Sequence, residues 1–106
     1  MTRVLLLLPL LAACAGPGGA GCPGDITLVN QGQRPIEQFY AGGPQDLLDP
    51  DLLPPGQSRP FRATNPAAAR LRVVFDDGRA AELGPVNLCE LPRITVTARG
   101  IVATAR

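Results

Sequence analysis

The sequence predicts an all-β domain, a small antiparallel β-sandwich of six or seven short strands. Three observations predict it. After Gly24, apolar residues alternate with polar ones and do not recur at helical spacing; Val, Ile, Thr and Phe gather in short runs; and Gly, Pro and Asn separate those runs.

Each element follows in order. Asp25-Ile26-Thr27-Leu28-Val29 alternates, with Ile26 and Leu28 facing inward, and Asn30-Gln31-Gly32-Gln33 is turn material. Pro35 opens a second run, residues 36–40, which Gly42-Gly43-Pro44 ends. Residues 46–55 carry Leu47, Leu48, Leu52 and Leu53 among Asp and Pro, a compact loop whose one candidate for helix is a turn starting at Asp46. Pro54-Pro55-Gly56 then turns the chain into a third strand over 57–62, where Arg59 and Pro60 would blunt a sheet edge. The clearest element is a hairpin. Residues 70–75 alternate and place Leu71, Val73 and Phe75 on one face, Asp76-Asp77-Gly78 makes the turn with Gly78 at positive φ, and 79–83 return. Residues 85–89 form a short segment ending at Cys89, and Arg93-Ile94-Thr95-Val96-Thr97 is a strand by β-branching. Gly100 breaks that strand, leaving 101–104 as a last edge piece.

The first residues have a different character. Arg3 gives a positive start, residues 4–11 are apolar apart from Pro9, and Ala12 and Ala13 are small, which is the order of a secretory leader. A membrane span needs about 20 apolar residues, more than this run supplies. Leu11-Ala12-Ala13-Cys14 resembles the lipobox of bacterial lipoproteins. The resemblance implies a diacylglycerol on the Cys14 sulfur, cleavage just before it, and an acylated new amino terminus. An ordinary leader cut elsewhere, with Cys14 free, is the alternative. Ala15 stands where an Asp would resemble an inner-membrane retention signal, so the expected location is the outer membrane, facing the periplasm. Ala15-Gly16-Pro17-Gly18-Gly19-Ala20-Gly21 and the following Cys22-Pro23-Gly24 read as a tether. The expected organisation is therefore a signal peptide over 1–13, a lipidated Gly/Pro-rich tether over 14–24 and the sandwich over 25–106.

With Cys14 lipidated, Cys22 and Cys89 remain as an even pair, and an exported compartment permits a disulfide between them. It would close a loop of about 70 residues, for which chain entropy gives roughly 4 kcal/mol. A redox pair usually has Cys-x-x-Cys spacing, which these lack, and metal binding by two cysteines without His is weaker still.

Composition excludes much chemistry. There is no His, so the usual general base and the commonest transition-metal ligand are missing. All ten basic residues are arginines, which removes Schiff-base chemistry, and Ser58, the one serine, has no imidazole to activate it. No catalytic residue, metal ligand or cofactor is expected. Ten basic against nine acidic residues give no electrostatic footprint for nucleic acid and no polybasic patch for lipid.

Within 25–97 the chain resembles small exported alphaproteobacterial domains of unknown function. The resemblance is carried by Ile26-Thr27-Leu28-Val29-Asn30, Pro35-Ile36 with Phe39-Tyr40, Asp46-Leu47-Leu48 and Leu53-Pro54-Pro55-Gly56. Further on, Arg72-Val73-Val74-Phe75-Asp76-Asp77-Gly78-Arg79 and Val86-Asn87-Leu88-Cys89 carry it. It implies a β-sandwich and no agreed activity. Many relatives place a cysteine just before the strand at Arg72, where this chain has Ala67, Ala68 and Ala69, so the Cys22–Cys89 pairing rests on cysteine arithmetic alone.

The expected function is a non-catalytic binding, assembly or structural domain held at the envelope, with the membrane reached through lipid and an envelope protein as partner. The alternative is calcium binding by loop aspartates, Asp46, Asp49 and Asp51 with Asp76 and Asp77, although no EF-hand spacing occurs and Asp is ordinary in turns. A glycosidase-like pair drawn from Glu37, Glu82 and Glu90 is the weakest expectation, since little aromatic surface exists to stack a sugar.

Overall fold

The computed structural model describes residues 22–106; the expected leader, Cys14 and the expected tether up to Gly21 lie outside the described residues. Seven strands form: β1 (Asp25–Asn30), β2 (Ile36–Ala41), β3 (Ser58–Arg62), β4 (Ala69–Phe75), β5 (Ala80–Val86), β6 (Arg93–Thr97) and β7 (Gly100–Thr104). They make a four-stranded sheet in the order β3-β1-β6-β7 and a three-stranded sheet in the order β2-β4-β5. The alternating runs therefore fold as a small β-sandwich. One pair departs from the antiparallel expectation, because β1 and β6 run parallel. Parallel neighbours need a long connection, and here that connection contains the whole second sheet.

Two bulges set which side chains point inward. In β2, Ile36 pairs with Phe75 and Gln38 with Val74, so Glu37 is an extra residue. The alternation is thereby reset, and Ile36 and Phe39, three apart, are both fully buried. In β5, Leu83 pairs with Leu71 and Val86 with Ala69, so Gly84 and Pro85 together oppose Arg70. Gly84 sits at φ 123°, and a Cβ there would come within 2.8 Å of the Ala69 carbonyl oxygen. The expected separate segment over 85–89 is thus corrected: β5 runs on through the bulge to Val86, and Cys89 lies in the turn that follows. The expected β4–β5 turn forms, with Gly78 at φ 88°. The expected break and last edge piece form: β6 ends at Thr97, a tight turn at Ala98 and Arg99 follows, and β7 lies at the sheet edge, beginning at Gly100 opposite Thr97.

The leucine-rich loop forms no helix. Two successive reverse turns stand there, with the Asp49 amide donating to the Asp46 carbonyl and the Asp51 amide to that of Leu48. The reason is the Asp46 carboxylate, whose Oδ1 accepts the amides of Phe39 (2.9 Å) and Leu48 (3.0 Å). Leu47 donates to the Phe39 carbonyl, and Leu53 exchanges both backbone bonds with Ile36. The loop therefore covers the outer edge of β2. At β3, Gln57 and Ala63 face β1 through their backbone bonds to Asn30 and Gly24. Pro60 then falls at a position whose missing N–H would point to solvent, where an edge strand tolerates it. A short 3-10 helix, Pro66–Ala68, begins with Pro at its first turn.

The core between the sheets holds Leu28, Ile36, Phe39, Leu48, Leu53 and Leu71 among its fully buried side chains. The rings of Phe39 in one sheet and Phe61 in the other lie 5.3 Å apart and tilted by 59°, a favourable aromatic geometry. A polar group shares that interior. Asn30 is 0% exposed. Its Nδ2 donates to the carbonyls of Arg34 (2.9 Å) and Leu53 (3.0 Å), and its Oδ1 accepts the Gly32 amide (2.9 Å). Its own amide donates to Gln57 and its carbonyl accepts from Gly56. Every polar atom of the residue is satisfied, which is what permits its burial.

Cys22 and Cys89 form a disulfide with Cα atoms 5.5 Å apart and a sequence separation of 67. The bond ties the chain before β1 to the turn between β5 and β6. The same end of the sandwich holds the bonds from Thr27 to Pro92, Ala63 to Gly24 and Leu88 to Pro66. β1 and β6 then run side by side to the opposite end, about 20 Å away at 3.3 Å per residue.

Two outcomes follow. Asn30→Ala leaves the Gly32 amide and the Arg34 carbonyl without partners, so urea unfolding should show a loss of about 2–4 kcal/mol, against about 0.5 kcal/mol or less for the exposed neighbour Gln31→Ala. A loss below about 1 kcal/mol would remove Asn30 from its structural role. For the disulfide, the double variant Cys22→Ser/Cys89→Ser should lose about 2–4 kcal/mol. Non-reducing mass spectrometry of the native protein should find no free thiol at either position.

Candidate functional site

Cys14 lies outside the described residues, and Cys22 and Cys89 are joined. The aspartates do not converge. Asp46 is occupied by two backbone amides, Asp51 faces Arg59 at 3.4 Å, and Asp76 and Asp77 hold Arg34. Among the described residues no group of three or more His, Cys, Asp or Glu side chains could hold a metal ion. Nor do the glutamates pair: Glu37 is exposed at the β2 bulge, Glu82 binds Arg72 at 2.7 Å, and Glu90 is exposed in the turn beyond Cys89.

What the fold does collect is arginine. At the end of the sandwich opposite the disulfide, a groove of about 480 Å³ is lined by Arg34, Arg79 and Arg99 together with Phe75, Ala80 and Ala81. Arg34 comes from the loop after β1, which Asn30 holds in place. Arg79 follows the β4–β5 turn, and Arg99 occupies the β6–β7 turn, where its amide donates to Thr97 Oγ1. That pole is closed by backbone bonds from Gln31 to Val96 and from Asp76 to Pro35.

The local electrostatics are ordered. Arg34 Nε lies 2.7 Å from Asp76 Oδ1 and 3.4 Å from Asp77 Oδ2, and Arg79 Nε lies 2.9 Å from the same Asp77 oxygen. Asp77 also accepts the Arg79 amide at 3.0 Å. This backbone hydrogen bond is the main reason its carboxyl is held below the ordinary value of 3.8. The Arg79 side-chain bond and the charges of Arg79 and Arg34 add to the effect, while partial desolvation opposes it.

A second, shallower cleft of about 440 Å³ lies on the outer face of the β2-β4-β5 sheet, lined by Tyr40, Gly43, Pro44 and Arg70. The Arg72–Glu82 pair flanks it, and Tyr40 Oη donates to Gln38 Oε1 at 2.8 Å.

Sequence reasoning did not single out Arg34, Arg79 or Arg99. The signal it offered was weak: each stands in or beside a turn, next to Pro35, Gly78 or Gly100. Comparison with protein families, with curated proteins and with solved structures finds no match for this chain.

Because the folded pKa of Asp77 is lowered, its contribution to stability is present above 3.8 and lost as the pH falls through the still lower folded value. Asp77→Asn should therefore melt below the parent at neutral pH. The gap should close on acidification below 3.8, as read by melting curves across pH.

Proposed function

We propose that the chain is a lipid-anchored protein of the bacterial cell envelope, whose small sandwich is a non-catalytic binding or assembly domain. The observation that carries this is Leu11-Ala12-Ala13-Cys14, standing directly after a positively charged and apolar leader. The Cys22–Cys89 disulfide supports it, since small exported domains commonly need such a staple and oxidising compartments allow it to persist. In this reading residues 15–24 carry the domain away from the bilayer, and Ala15 favours the outer membrane. Two or more acyl chains give stable anchoring where one gives only marginal binding.

A binding role without catalysis is supported by the inventory of side chains. The chain has no His or Lys, Ser58 is exposed on the edge strand β3, and the carboxylates are engaged or dispersed. Calcium binding draws less support, because Asp46, Asp51, Asp76 and Asp77 already serve backbone amides or arginines. An envelope protein, or a ligand in the envelope, is the partner this domain would meet.

Metabolic labelling with an alkynyl palmitate analogue tests the anchor. The parent protein should carry the label, sediment with outer-membrane vesicles and begin at Cys14, and Cys14→Ser should lose the label. An unlabelled, freely soluble protein that retains residues 1–13 would overturn the proposal.

A further inference from the structure

We propose that the three-arginine groove is an oxyanion-binding site, accepting a carboxylate or phosphate carried on a small, partly apolar molecule. This deepens the reading of the sandwich as a binding domain, but it does not depend on the anchor.

Arg34, Arg79 and Arg99 arrive from three separate connections, and the fold gathers them around one groove. Arg34 meets Asp76 and Asp77 through Nε, and Arg79 meets Asp77 through Nε. The side-chain hydrogen bonds of Arg34 and Arg79 use Nε, and a guanidinium has further N–H donors at Nη1 and Nη2 suited to a carboxylate or phosphate. Asp76 and Asp77 fix the direction of these two guanidinium groups and offset their charge, so the uncompensated positive charge at the groove is that of Arg99. Arg99 has no ion-pair partner among the described residues. Half-buried Phe75 and Ala81, which also line the groove, offer apolar contact to a hydrocarbon or ring attached to the anion. The volume of about 480 Å³ lies in the range of small-molecule sites. The groove also lies at the pole opposite Cys22.

The full-length protein, isotopically labelled and held in nonionic detergent, would be titrated with phenyl phosphate, benzoate and glycerol 3-phosphate, with phenol as the uncharged control. Amide shifts should saturate at residues 32–34, 79–81 and 97–100, and affinity should fall as salt rises. Arg99→Gln, an exposed turn substitution, should weaken binding about threefold or more while shifts elsewhere stay in place. Preference for phenyl phosphate or benzoate would assign the site to a soluble, partly apolar acid. Equal binding of glycerol 3-phosphate would assign it to a phosphate headgroup. The proposal fails if phenol binds as well as phenyl phosphate, if no saturable shifts occur up to about 10 mM, or if Arg99→Gln leaves affinity unchanged. Loss of lipid labelling alone would leave these outcomes untouched, and failure of the titration would leave the anchor standing.

Discussion

A buried amide organises one whole end of this protein. Asn30 closes β1 and binds both neighbouring loops at once, through Arg34 and Gly32 on one side and Leu53, Gly56 and Gln57 on the other. The Leu53 carbonyl that accepts its Nδ2 also accepts the Ile36 amide of β2. A strand of one sheet is therefore joined to a strand of the other through a single oxygen. In an interior of low dielectric such a network is strong only when complete, and here it is complete. The loop carrying Arg34 takes its position from this node.

The opposite end is held by different means. There the disulfide and a few backbone bonds gather the chain before β1, the 3-10 helix and the turn before β6. Between the poles the apolar core is small and poor in aromatic residues, with Phe39 and Phe61 making the ring contact across the sheets. A domain of this size has little core to spare, so polar and covalent ties at its ends add to its stability where burial alone is marginal. The sheet edges are managed too. The loop containing Asp46 and Leu53 covers β2, Pro60 blunts β3, and β5 lies beside β7 where the two sheets approach.

Near-neutral overall charge concealed a local order. The basic and acidic residues nearly cancel over the chain, yet at one pole two aspartates fix the direction of two arginines and a third arginine stands free of them. Charge balance speaks to long-range attraction for nucleic acid or anionic lipid. It does not speak to a short-range site, where the geometry of a few guanidinium groups decides what can bind.

Strand positions and the β4–β5 turn were legible in the sequence because they rest on local physics: alternation with period two, β-branched side chains, and a glycine able to adopt positive φ at Gly78. The pairing of Cys22 with Cys89 was legible by counting, once Cys14 was set aside. Other features depended on contacts between residues far apart in the chain. The parallel pairing of β1 with β6, the bulges at Glu37 and Gly84, and the reverse turns at Asp46 come from register and from sheet edges that exist only after folding. Asn30 reads locally as a turn residue, and only the packed sandwich surrounds it with partners. Arg34, Arg79 and Arg99 are each unremarkable beside their turns, because no local rule relates three loops that topology alone brings to one groove.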